Sequence, residues 1–212
     1  MTALIIDTSN EPAILILAEE KTVKKSIFLE SGKSLSSNLV VEIENLTKDL
    51  LHKLDFIGVG TGPGSYTGIR SGVTVAKALA YSLNIPLVSF CSLHGYIPQE
   101  NKIFVSMLDA RSGGVYLLAG KKENLNFEYT SKPLVLPLEE AFEYIQKSDL
   151  VISPHADKLQ KRFSDLHKEK QPTYVQTSPN EHRLVNICMN SFKRKEFAQD
   201  YHLEIHYLKS IK

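Results

Sequence analysis

Cysteine is scarce in this chain: Cys91 and Cys188 are its two thiols. So far apart, they form no CxxC zinc half-site and no disulfide framework, and they point to a reducing compartment. Long hydrophobic runs are missing too. The longest, Ala13 to Ala18, falls far short of the roughly 20 residues a membrane-spanning helix needs. The opening Met1-Thr2-Ala3-Leu4-Ile5-Ile6-Asp7 has no basic residue and soon reaches an acid, so no secretory leader is expected. What remains is ordinary: 42% hydrophobic and 23% charged residues in 212 exclude disorder and fibre. A soluble, cytoplasmic α/β protein of one large domain or two small lobes is expected, with no membrane partner.

Net charge is small, +1, but unevenly spread. Residues 1–152 carry 14 basic and 17 acidic side chains, and residues 153–212 carry 11 and 7. A mildly basic last third could meet an anionic partner such as RNA through counterion release. No alternation of basic and aromatic residues builds a nucleic-acid platform, so solvated helix surface accounts for most of the excess.

Periodicity gives an element order. Strands are expected at Ala3–Asp7, Ala13–Ala18 and Thr22–Leu29, joined by short turns. Leu39, Ile43, Leu46, Leu50 and Leu54 mark a helix capped by Ser36 or Ser37. A strand at Asp55–Gly60, a helix at Gly68–Leu83 and a strand at Pro86–Phe90 complete the first half. The second half repeats the order, with strands at Ile103–Asp109, Val115–Ala119 and Leu125–Thr130. Helix Leu138–Ile145, strand Leu150–Ser153, helix Asp157–His167 and strand Thr173–Gln176 follow, then a closing helix at Glu181–Phe197. Both halves open with a strand ending in aspartate, Asp7 and Asp109, so the duplication lies in element order rather than in residue identity. Two mixed-sheet lobes are expected, at 1–97 and 98–212, with the tail free to pack back on the first.

Glycine carries most of the information. Six of the eleven glycines (Gly58, Gly60, Gly62, Gly64, Gly68 and Gly72) fall in one strand-to-helix connection. Such a loop allows close backbone approach and can hold an anion. It is neither a GxxxxGK[ST] loop nor a GxGxxG dinucleotide turn, because Pro63 interrupts the donors. An anion or nucleotide loop would draw on Asp7, Gly62, Gly64, Ser65, Thr67 and Arg70. Beyond it, Gly68, Gly72, Ala76 and Ala80 run four apart beside Ile69 and Val73, a line that lets another helix come close. With the leucine stripe they leave more apolar surface than one sheet face requires, which argues for a partner.

These residues resemble a known family. Gly60-Thr61-Gly62-Pro63-Gly64-Ser65-Tyr66-Thr67-Gly68-Ile69-Arg70 is similar to the GxGPGSFTGxR signature of the TsaB family, also called YeaZ. Ile5-Ile6-Asp7-Thr8-Ser9, the block Asp109-Ala110-Arg111 through Tyr116, and Tyr207-Leu208-Lys209 extend the likeness. Leu35 stands where the family often has histidine, and Lys209 where it has arginine. The resemblance implies an actin/Hsp70-like (ASKHA) fold of two RNase H-like lobes. It also implies a tRNA-modification role in which the chain supports a TsaD-type catalytic paralogue and a TsaE-type ATPase in forming threonylcarbamoyladenosine, with tRNA met through the complex. ATP and metal would sit on the partner subunits, with no cofactor held by this chain alone. The partner interface would consist of Leu39, Ile43, Leu46, Leu50, Gly68, Ile69, Gly72, Val73, Ala76 and Ala80, so that Ala76→Arg would break docking in a folded monomer. Alone, the same surface would form a homodimer.

Catalytic constellations are thin. The HxxxH metal pair of the paralogue would fall at Ser92 and Tyr96, which bind no metal in that role. His202, Glu204 and His206 would share a face if extended, though such alternation more often marks the wet side of an edge strand. Asp7 and Asp109 sit where ASKHA kinases hold Mg-nucleotide, but a turn-capping aspartate explains Asp7 as well. Arg111 would pair with a carboxylate. The expectation is a non-catalytic subunit; the alternative is an ATP-dependent phosphotransferase using Asp7 and the loop Gly62–Ser65. A metallopeptidase is disfavoured by the missing histidines.

Overall fold

The computed structural model describes residues 1–30, 35–111, 114–124, 126–166 and 172–203, without the side chains of 35–37. Its first unit spans Met1–Gly95 and resumes at Asn180; its second spans Tyr96–Pro179. Strands of the first unit are β1 (Thr2–Asp7), β2 (Ala13–Glu19), β3 (Thr22–Leu29), β4 (Phe56–Gly60) and β5 (Leu87–Phe90). Between them lie α1 (Leu35–Thr47) and α2 (Tyr66–Leu83). The second unit has β6 (Ile103–Asp109), β7 (Val115–Glu123), β8 (Asn126–Tyr129), β9 (Leu134–Leu136), α3 (Leu138–Gln146), β10 (Leu150–Ser153), α4 (Ala156–Leu166) and β11 (Thr173–Gln176). Helix α5 (Glu181–Lys193) follows.

Alternation along the strands of the first unit sets its layers. Leu4, Ile6, Leu15, Leu17, Ile57 and Val59 form one apolar face, on which α1 and α2 pack. Ala3, Ile5, Ile14, Ile16, Phe56 and Val88 form the other, covered by Leu184, Val185, Cys188 and Met189 of α5. A sheet apolar on both sides needs a helix layer on each. For that reason the closing helix belongs to the first unit, a correction to the expected second lobe of 98–212, which included it. Phe192 of α5 stacks on Phe56 at 4.4 Å.

The duplication read from element order is present in the sheets. The first runs β3-β2-β1-β4-β5 and the second β8-β7-β6-β10-β11, with the same antiparallel hairpins and parallel crossovers. Two RNase H-like sheets in one α/β chain make the actin/Hsp70-like (ASKHA) class. In the second unit Val105, Met107, Leu117 and Val151 meet α3 and α4 through Phe142, Ile145, Leu159 and Phe163.

Strand β7 runs on to Glu123 past its expected end at Ala119, α5 stops at Lys193 rather than Phe197, and two further elements depart more sharply from expectation. The leucine-striped helix ends at Thr47, and a 3-10 turn carries Lys48–Lys53. Lys48 holds a φ of 42°, and the Thr47 hydroxyl donates to the Ile43 carbonyl at 2.7 Å, so the α-helical ladder stops there. Strand β9 was not expected: three residues between Pro133 and Pro137 are too few for alternation to register. Among the described residues no helix is long and apolar enough to cross a membrane.

Candidate functional site

The glycine loop leaves β4 at Gly60 and enters α2 at Ser65, whose hydroxyl caps the helix by accepting from the Gly68 amide at 3.3 Å. Gly62 turns the chain with a φ of 93°, a conformation glycine adopts without strain. The loop is tied on both sides. Thr61 donates its amide and hydroxyl to the Phe90 carbonyl at 2.9 and 3.2 Å, and the Ser92 amide donates to the Gly62 carbonyl at 2.8 Å. On the other side the Ser65 amide donates to the Ser9 carbonyl at 2.6 Å, and the Thr8 hydroxyl to the Gly68 carbonyl at 2.7 Å. A Cβ at Gly68 would overlap the Thr8 carbonyl oxygen, and one at Gly72 the Thr8 hydroxyl. These glycines fasten α2 onto the end of β1. Of the expected anion loop, Asp7, Gly62, Gly64 and Ser65 gather at this junction, where the Ser65 amide is taken by Ser9. Thr67 and Arg70 do not join them: both are exposed on α2, with the Arg70 guanidinium 3.9 Å from the centre of the Tyr66 ring.

Asp7 is buried at the tip of β1 and accepts from the Ser9 amide at 3.0 Å, which is the expected turn cap. Burial pushes its carboxyl above the ordinary carboxylate range, against the lowering effect of Ser9 and of the nearby Ser92 hydroxyl. The folded state therefore binds a proton more tightly than the unfolded chain. This costs nothing below the ordinary carboxylate pKa, and stability falls as pH rises from there toward the folded value. Asp7→Asn keeps the acceptor for Ser9 and cannot ionise. Urea unfolding at several pH values should show the wild type losing stability with a slope approaching about 1.4 kcal/mol per pH unit in that window. The variant should stay level and be the more stable of the two at neutral pH.

The expected interface residues lie mostly inside the protein. Leu39, Ile43, Leu46, Ile69, Val73, Ala76 and Ala80 are buried where α1 and α2 meet each other and the sheet, and Gly68 and Gly72 are buried against Thr8. Of the ten, Leu50 alone is exposed. The physical reason is the one that suggested an interface: small residues four apart let a backbone come close, and the backbone that comes close is β1. Ala76→Arg would thus put a charge into the core, and it should unfold the first unit rather than report on docking. The outward faces carry residues that the stripe reading passed over. On α1 these are Val40 (55% exposed) and Val41 (51%); on α2 they are Tyr66 (53%) and Tyr81 (75%). Large apolar side chains opposite the buried stripe were the available signal.

The remaining candidates are structural or fall outside the description. Asp109 has a side chain 5% exposed, bridged by Lys158 at 2.5 Å and by Arg162 of α4. Burial works to raise its pKa, but Lys158, the Arg111 amide and Arg162 outweigh it and hold the carboxyl below the ordinary range. Arg111 contributes backbone: its amide donates to Asp109 at 2.9 Å and its carbonyl accepts from Arg162 at 3.3 Å. Because the folded pKa is lowered, this stabilisation is present above the ordinary carboxylate pKa and is lost as pH falls. Asp109→Ala should cost the second unit about 1–2 kcal/mol at neutral pH and nearly nothing in acid, as calorimetric melting can check. Tyr116 is a half-buried strand residue paired with Leu108 and Val135. Ser92 and Tyr96 are each 1% exposed. Glu204, His206 and Tyr207-Leu208-Lys209 lie outside the described residues, whereas Ser36 and Ser37, expected as caps, fall inside α1, which already begins at Leu35. No group of three metal-ligating side chains occurs among the described residues.

Comparison with known proteins gives this arrangement a lineage. The family model for TsaD, tRNA N6-adenosine threonylcarbamoyltransferase, matches residues 29–192. The chain belongs to the TsaB/YeaZ branch of that family. It is 38% identical over 122 residues (55% of the chain) to the tRNA threonylcarbamoyladenosine biosynthesis protein TsaB of Bacillus subtilis, and 26% identical over 136 residues (61% of the chain) to TsaB of Haemophilus influenzae. The chain spans about half the length of these curated relatives, 53% and 58%. Its fold matches YeaZ from Pseudomonas aeruginosa at a TM-score of 0.78 and 20% identity, covering 100% of this chain and 99% of the other.

Proposed function

We propose that this chain acts in forming threonylcarbamoyladenosine on tRNA as a non-catalytic support subunit. In this reading it docks a TsaD-type catalytic paralogue through the outer faces of α1 and α2. The TsaE-type ATPase and the tRNA join through that complex, ATP and metal belong to the partners, and the setting is the cytoplasm. The observation that carries the reading is the exposure of Val40 and Val41 on α1 and of Tyr66 and Tyr81 on α2, the two helices on one sheet face of a family member. Exposed aromatic and β-branched residues are what a protein–protein interface uses. The glycine loop supports the same reading, because its Ser65 amide and Gly64 face the chain's own Ser9 carbonyl rather than a ligand.

The test is reconstitution. Purified chain alone should transfer no threonylcarbamoyl group to tRNA, and adding it to the paralogue and the ATPase should raise the rate of modification. A rate that does not change on addition would sink the reading.

A further inference from the structure

The carboxylate of Asp109, at the end of β6, meets more positive charge than it can balance. Lys158 bridges one of its oxygens at 2.5 Å, and Arg162, one turn further along α4, bonds the other. Arg111 completes the cluster. It holds a φ of 58°, which side chains disfavour, with its amide on Asp109 and its carbonyl on Arg162. Arg111 is exposed, and its guanidinium makes no ion pair among the described residues. Elsewhere on α4, Asp157 and Asp165 stand one turn to either side of Lys161, so their field falls first on that base.

One carboxylate among three cations leaves the cluster positive, and its form says which anion fits. Asp109 is engaged by two cations at once, so it is no ligand for the magnesium ion of a Mg-nucleotide. The side chain of Lys158 is 63% exposed and that of Arg162 28%, an open face rather than an enclosed pocket. An extended polyanion, whose phosphates pass one after another, is held by such a face. We infer that Arg111, Lys158 and Arg162 contact the phosphodiester backbone of RNA, so that this chain itself holds tRNA. The inference rests on reading the chain as part of a tRNA-modifying complex.

Asp109 is the positioning residue of this face. Buried at the strand end, it fixes Lys158 and Arg162 before RNA arrives, so less side-chain freedom is lost on binding. Arg162 spends one bond on Asp109 and one on the Arg111 carbonyl, fewer than the five N–H donors of a guanidinium. Lys158 and Arg162 also belong to the basic stretch 153–212 that composition singles out.

Fluorescence anisotropy with a labelled anticodon stem-loop RNA tests this, on the full chain alone and on its complex with the TsaD-type paralogue. Arg111→Ala and Lys158→Ala should each weaken RNA binding about fivefold and reduce the salt slope by about one, and the double variant by about two. An unrelated RNA of equal length should show the same losses, because phosphate contacts carry no sequence information. Arg111→Lys, which keeps the charge, should recover most of the binding. Lys147→Ala removes an exposed base elsewhere in the second unit and should stay within about twofold of wild type. All variants leave Arg162 on Asp109, and their thermal melting should match wild type. Four results would overturn the inference: no RNA binding by wild-type chain and complex, a double variant that binds like wild type, a Lys147→Ala loss as large as the others, or micromolar binding of inorganic triphosphate at the cluster, which would make it a small-anion pocket. Titrating the paralogue into the same samples keeps the two ideas apart. A complex that forms but binds RNA equally well with the double variant overturns the RNA face alone. A chain that ignores the paralogue yet loses RNA with these substitutions overturns the docking function and upholds the RNA face.

Discussion

Gly68→Ala should destabilise the first unit by about 3 kcal/mol, although helix propensity alone points the other way. Within an exposed stretch of helix, glycine to alanine gains about 1 kcal/mol. At this position the added methyl group meets the Thr8 carbonyl oxygen, a backbone atom held by β1 and unable to swing aside. Its neighbour, the Thr8 hydroxyl, is bonded to the Gly68 carbonyl itself, so any retreat of α2 also breaks that bond. The sign of the change in urea or thermal unfolding therefore decides between a packing role and a merely permissive glycine. Thr74→Ala, on the exposed face of the same helix, should stay within about 0.5 kcal/mol of wild type.

The second large effect concerns docking. Replacing Val40 and Val41 together by asparagine should leave the monomer folded, because both side chains stand more than half exposed on α1. It should nevertheless weaken binding of the TsaD-type paralogue on the order of 100-fold, the scale at which a central apolar contact is lost from an interface. Circular dichroism with titration calorimetry separates the two readouts. An unchanged affinity would move the docking surface away from α1. The contrast with Ala76→Arg is instructive: a charge at that buried alanine removes the fold and the binding together, so it cannot locate an interface.

Much of the fold could be read from residues. Strands β3, β10 and β11 fall at their expected bounds, because short apolar runs bracketed by turn residues mark strands well. The glycine signature located the junction of β1, β4 and α2. What the periodicity could not give was direction. A line of small residues brings a backbone close whether it faces a partner or its own sheet, and here Thr8 is the neighbour. The discriminating residues were the bulky ones on the opposite side, Tyr66, Lys77 and Tyr81. Likewise the closing helix could be placed along the chain but not on a sheet, since its buried Leu184 and Cys188 cover a face built from residues between Ala3 and Phe90. Asp7 and Asp109 occupy equivalent strand ends yet differ in chemistry: one is buried beside serines, the other is bridged by Lys158 and Arg162. Those partners come from distant segments, and no local pattern reveals them.

Calorimetric titration of the purified wild-type chain into its purified TsaD-type paralogue addresses the docking role most directly. We expect saturable one-to-one binding, and no heat when Mg-ATP is added to the chain alone. Silence with the paralogue, together with binding and turnover of Mg-ATP by the isolated chain, would make it an enzyme in its own right and end the case for a support subunit.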